Sequence, residues 1–214
     1  MIFSKAFWEK IKRDGITQLV YDFLNLKETR GNVWYKTDWT KSKKEIVVDY
    51  LVRQFDSKKA IELVESKRHL WESMTSDEKV RYWFAWIRQN IKYEFDKVQF
   101  GVLEKWEDLD IVLTNVEGDC ETQATLLYVL CSLSGVSFKR LRLYAGDVIM
   151  PSGKKGGHVW LQYRRDIDGN QVIMDTTYYP TWRSIDSRDW AYDESKYIDR
   201  WWGFNEARHY RGWR

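Results

Sequence analysis

Apolar positions along the first 95 residues recur at helical spacing. Phe3, Phe7, Trp8 and Ile11 predict an amphipathic helix, and Ile16, Leu19, Val20, Phe23 and Leu24 predict a second after Gly15. A loop with Gly31 and Asn32 follows. Ile46, Val47, Tyr50, Leu51 and Phe55 then predict a third helix, and Ala60, Ile61, Val64 and Leu70 a fourth. Thr75 with Glu78 three residues on is a capping-box signature. It opens the strongest helix of this half, with Val80, Trp83, Phe84, Ile87 and Ile91 on one broad stripe.

After Tyr93 the pattern changes. Residues 94–118 read as an irregular connection. Gly118-Asp119-Cys120 then opens a helical run to about Ser134, ended by Gly135. Ala124, Leu126, Leu127, Val129, Leu130 and Leu133 make this helix apolar nearly all round, as in a helix buried at the centre of a domain. Period-two segments come next. Leu141, Leu143 and Ala145 alternate with Arg140, Arg142 and Tyr144, and His158 to Tyr163 and Gln171 to Asp175 predict two further strands. Arg164 to Asn170 is turn-rich, with Asp168-Gly169 near its end. Helices, one buried helix and then an antiparallel sheet make the class α+β. The expected division is a helical N-terminal region (1–75), a core (76–180) and a Trp-rich C-terminal segment (181–214). The last has weak helical periodicity and is expected to wrap the core.

Composition narrows the function. The 214 residues carry 35 basic and 32 acidic side chains, a net +3, which gives no pull toward nucleic acid. The basic clusters Lys41/Lys43/Lys44, Lys139/Arg140/Arg142 and Lys154/Lys155 read as solvated faces. No stretch approaches the roughly 18 apolar residues of a membrane span, and the N-terminus lacks a signal-peptide core. Two cysteines cannot build a disulfide framework, and they suit a reducing compartment. A soluble, cytoplasmic protein with neither nucleic-acid nor membrane partner is therefore expected. The 13 Trp suit a large core, and exposed ones could also stack on flat ligands or sugars.

Cys120 is the candidate nucleophile. Asp119 is a good N-cap, so the thiol falls in the first turn of the buried helix, where free N–H groups and the dipole favour a thiolate. A plain buried cysteine is the alternative, and Cys131, eleven residues on in the apolar stretch, reads as core. Along a helix the two sulfurs are about 16 Å apart, so one zinc ion cannot bridge them. No CxxC or HExxH motif is present, and no metal or cofactor is expected. His158 follows Gly156-Gly157 at a strand start, whereas His69 and His209 read as surface or capping residues. Asp175 ends an apolar strand, where a carboxylate is unusual unless exposed or paired. If Tyr163 pairs with Asn170 across a six-residue loop, His158 stands opposite Asp175, within about 5.5 Å. A two-residue Asp168-Gly169 turn would instead set Asp175 opposite Gln162.

The stretch from Arg81 to Asp175 resembles the transglutaminase-like superfamily, and within it the bacterial transglutaminase-like cysteine proteinases. The resemblance is carried by Tyr93, Asp96, Phe100-Gly101, Trp106, Gly118-Asp119-Cys120-Glu121 with Ala124, His158-Val159-Trp160-Leu161 and Met174-Asp175-Thr176. It implies a papain-like core, a buried helix packed on an antiparallel sheet. It also implies a Cys120 nucleophile, a His158 base and then acid, an orienting Asp175, and a thioester intermediate formed on a peptide or protein substrate. Thr122-Gln123 departs from the Asp-Tyr usual in that proteinase group. No glutamine in 100–119 can serve as the oxyanion donor. Trp106 is the candidate, with core packing as its alternative and Gln99 a weaker choice. No calcium-loop motif appears, so calcium activation is not expected. The competing readings are a non-catalytic binding or structural protein on the same fold, and a carbohydrate-binding module using exposed tryptophans.

Overall fold

A computed structural model describes residues 47–96, 98, 106–178, 195–205 and 208–211. The two helices predicted before residue 25 lie outside these residues, as does Gln99.

Among the described residues, six α-helices precede or cover the sheet: α1 (Val47–Gln54), α2 (Lys58–Glu65), α3 (Arg68–Trp71), α4 (Ser76–Asn90), α5 (Leu109–Asn115) and α6 (Cys120–Leu133). Two short strands, β1 (Lys92–Tyr93) and β2 (Glu117–Gly118), pair in parallel, with Tyr93 against Gly118. The main sheet holds β3 (Leu141–Ile149), β4 (Lys155–Arg164), β5 (Gln171–Met174), β6 (Tyr197–Asn205) and β7 (Arg208–Arg211). Its order is β5-β4-β3-β6-β7, antiparallel throughout. The α+β class and the buried helix on an antiparallel sheet are therefore as expected.

The predicted capping box closes α4 from both sides. Glu78 N–H donates to Thr75 Oγ1 at 3.3 Å, and Thr75 N–H donates to Glu78 Oε2 at 2.8 Å. Asp77, in the same turn, is buried and accepts from Tyr163 Oη (2.5 Å), Asp166 N (2.7 Å) and Ile167 N (3.1 Å). One carboxylate thus ties the start of α4 to the loop after β4. The single helix predicted over Ala60–Leu70 breaks at Ser66-Lys67 into α2 and α3. Trp71 folds back across the break, and its indole N–H donates to Val64 O at 2.9 Å.

The connection over 94–118 contains a helix that local pattern did not reveal. α5 has seven residues, of which Leu109 and Val112 are buried. Its N-terminus is served from far away: Gln54 Oε1 accepts from Leu109 N–H at 2.9 Å and Gln54 Nε2 donates to Asp108 Oδ1 at 3.1 Å. It ends on Val116 at φ 55°, a left-handed position where glycine is the usual signal.

α6 is the centre of the core. Every residue from Glu121 to Cys131 is buried, as the all-round apolar pattern predicted. It packs on β3 and β4 on one side and on α4 on another. Trp83 is fully buried, and its indole donates to Ser134 Oγ at 3.1 Å. Tyr128, also fully buried, lies edge-on to Phe55, and its hydroxyl has no hydrogen-bond partner. An unmatched buried hydroxyl costs stability. Tyr128→Phe is therefore expected to be neutral or to stabilise by about 1 kcal/mol in urea unfolding; a loss of similar size would show that a partner exists in solution.

The described part of the C-terminal segment extends the sheet. β6 pairs with β3 and carries β7 on its outer side. Over these residues the segment pairs with the sheet.

Candidate functional site

Cys120 is the first residue of α6, with Asp119 in extended N-cap geometry (φ −89°, ψ −159°). The position is as predicted, but the Asp119 side chain makes no capping hydrogen bond. Gln123 supports the turn instead, its Nε2 donating to Gly118 O at 3.0 Å. The Cys120 thiol lies 3.2 Å from Glu121 Oε2. Burial pushes the thiol pKa well up, and the Glu121 and Asp119 carboxylates push it further; the Val159 N–H opposes them. The helix start alone therefore does not make this thiol acidic. Cys131 is fully buried, and burial raises its thiol as well, in keeping with a core role.

His158 lies inside β4 and is 2 % exposed. Its Nε2 is 2.7 Å from Asp175 Oδ2, and its Nδ1 is buried with no hydrogen-bond partner. The Tyr178 ring covers the imidazole at 4.4 Å between centroids, and Trp160 stacks at 6.1 Å. His69 is exposed, as predicted, and His209 sits in β7.

Asp175 follows β5 and is 3 % exposed. All of its acceptor capacity is directed. Oδ1 accepts from Thr177 N (2.8 Å) and Tyr178 N (3.4 Å), and Oδ2 faces His158 Nε2 and accepts from Tyr197 Oη at 2.6 Å. Burial pushes its pKa up, but the His158 imidazole, the Tyr197 hydroxyl and the Thr177 N–H outweigh it and hold the carboxyl below its ordinary range. Arg88, in the last turn of α4, fixes the chain just beyond by donating to Thr176 O at 2.8 Å.

The strand register differs from the one expected. Arg164 pairs with Gln171 across a six-residue connection, so the long loop is present, but Leu161 pairs with Met174. Continuing the ladder sets Asp175 level with Trp160, not with His158. The displacement of two along the partner strand preserves the side-chain face, because strand faces alternate with period two. His158 is then a diagonal neighbour of Asp175, and the two side chains span the gap.

Trp106 is 4 % exposed and lies edge-on to Tyr50 at 5.0 Å, within the core. Three features escaped the sequence reading. Tyr197 reaches Asp175 from a strand outside the region of resemblance. The Tyr93 and Tyr178 rings lie 6.5 Å apart, and both are within electrostatic reach of Cys120. Asp96, Asp119 and Glu121, all buried, each bring an oxygen within 4.8 Å of the others'. The signal for this last group was partly visible, since two of its carboxylates flank Cys120 in sequence.

No protein-family model matches the chain, and no curated protein matches it. Solved structures do. LapG of Legionella pneumophila is similar with a TM-score of 0.53 and 16 % identity, over 78 % of this chain and 88 % of that one. The calcium-bound form of the same protein gives 0.54 and 17 %, over 78 % and 88 %. The EGTA-treated form gives 0.53 and 16 %, over 78 % and 86 %. These likenesses show a papain-like, transglutaminase-like fold.

Proposed function

We propose that this protein is a thiol hydrolase or acyltransferase acting on amide bonds of peptides or proteins, through Cys120, His158 and Asp175. One observation carries the reading. A buried His158–Asp175 couple leaves Nδ1 without a partner, while the backbone N–H of the next residue on the strand, Val159, acts to lower the Cys120 thiol pKa. The imidazole nitrogen not held by Asp175 is the one available to take the thiol proton. The sulfur then attacks the amide carbonyl, and the Cys120 backbone N–H at the start of α6 stabilises the oxyanion. His158 returns the proton to the leaving amine, and a thioester remains. Water completes hydrolysis, and an amine completes transfer. The transglutaminase-like fold, shared with LapG over 78 % of this chain, supports this chemistry.

Iodoacetamide labelling near neutral pH tests the reading. Cys120 is expected to label and Cys131 to stay protected, and His158→Ala is expected to slow Cys120. Equal, slow labelling of both thiols would favour a non-catalytic binding protein. The upward push on the Cys120 thiol from Glu121 and Asp119 is the observation that keeps that second reading in view.

The same two carboxylates suggest a resolution. Asp96, Asp119 and Glu121 form an all-oxygen donor set, which fits a hard divalent cation such as calcium, and one similar structure is a calcium-bound LapG. A cation held there would offset the charges that keep the Cys120 thiol protonated. Calcium at about 100 times its Kd is expected to stabilise the fold by about 2.7 kcal/mol, read as a rise in Tm. Asp119→Asn should abolish the rise. An unchanged Tm across the titration would remove the cation from the proposal and leave the thiol chemistry standing.

A further inference from the structure

Tyr197 joins the His158–Asp175 couple from a strand that carries neither residue. It lies at the start of β6, in the C-terminal segment, level with Val148 of β3. The β3–β6 ladder shifts register between Ala145 and Gly146 and again between Asp147 and Val148. Such irregularities twist a strand and re-aim its side chains. Here the Tyr197 ring packs at 5.0 Å from Trp160, and its hydroxyl ends 2.6 Å from Asp175 Oδ2, the same oxygen that faces His158 Nε2.

Resting on the triad reading, we propose that Tyr197 is a positioning residue that fixes the Asp175 carboxylate, and through it the His158 imidazole, toward Cys120. A carboxylate held through Oδ1 by Thr177 and Tyr178 N–H, with the imidazole alone on Oδ2, can still turn and carry the imidazole with it. A second donor on Oδ2, supplied from a different strand, removes that freedom. Asp175 is thereby clamped between its own chain and β6, and the sheet must be complete to its fourth strand before the imidazole is oriented. The clamp joins residues 197 and 175, so the C-terminal part of the chain completes the site.

Tyr197→Phe tests this in the full-length chain, since it keeps the ring against Trp160 and removes only the hydroxyl. Two readouts need no substrate. One is the imidazole N–H proton resonance of His158, assigned by its loss in His158→Gln. The other is the rate of Cys120 alkylation at one fixed pH. With Tyr197 removed, the resonance is expected to move upfield and exchange faster with water, and alkylation to slow about three- to tenfold. In a His158→Gln background the same change should slow alkylation no further. A role in packing alone leaves both readouts at their parent values and overturns the proposal. A downfield shift with faster alkylation overturns it too, because Tyr197 would then compete for the carboxylate instead of steadying it. A parent protein with no such resonance and no selective Cys120 labelling would instead defeat the triad reading itself.

Discussion

Cys120→Ala is expected to abolish amide cleavage or transfer, to the background of the assay, while leaving the fold in place. Among the described residues no other thiol can substitute, because Cys131 is fully buried in α6. The side chain removed is small and only partly buried, so the cavity cost is minor. Asp175→Asn should also be severe, with activity down by about 10⁴ where the imidazole must keep one tautomer. An amide in place of the carboxylate would present either an N–H or a neutral oxygen to His158 Nε2. The check is a fluorogenic peptide assay beside a thermal melt. Residual activity in Cys120→Ala above one part in a hundred would mean that another group carries the reaction.

The second large effect is on stability. Gly146→Ala is expected to destabilise the protein by about 3 kcal/mol, the upper end of the usual cost of overpacking. A Cβ at Gly146 would sit 2.0 Å from the Asp199 carbonyl oxygen, 2.8 Å from Trp160 Cη2 and 3.0 Å from Arg200 Cα. Two of these are backbone atoms of β6, which can yield only by moving the strand away from β3. The site should suffer with the fold, because β6 carries Tyr197 to Asp175 and Gly146 is itself paired with His158. Gly153→Ala is the control. It has open space but a φ of +80°, so it should cost about 1 kcal/mol from backbone strain alone. Urea midpoints for the two variants give the comparison, and a smaller effect at Gly146 than at Gly153 would contradict the packing argument.

Two influences act on the Cys120 thiol in opposite directions. A helix start favours a thiolate, and the sequence places Cys120 at one. Burial and the adjacent carboxylates favour the thiol, and they prevail. Both carboxylates were legible as neighbours of Cys120, but their joint approach with Asp96 was not. Asp96 comes from the segment after β1, whose parallel pairing with β2 draws it toward Gly118. Three carboxylates brought together in this way follow no loop motif, so no local pattern announces their meeting.

Local signals determined what local physics controls. The capping box at Thr75, the all-round apolar face of α6 and the alternation in β3 are set by neighbours a few residues away, and each appears where the sequence placed it. Cys120 at the head of α6 belongs to the same group. Long-range pairing decided the rest. α5 is anchored by Gln54, more than fifty residues earlier, so its own seven residues hold too little apolar periodicity to announce it. The register of β4 against β5 could slide by two without changing which face His158 and Asp175 share, so face was readable and exact opposition was not. Tyr197 is the clearest case. Nothing near it in sequence marks a tyrosine that serves Asp175, and only the bulged pairing of β6 on β3 brings its hydroxyl to that carboxylate. The sequence by itself thus determined the class of fold and pointed to Cys120, His158 and Asp175 as candidates. Tertiary structure decided how the carboxylate is held and what surrounds the thiol, because hydrogen bonds and charges act through space between strands whose alignment no short stretch of chain encodes.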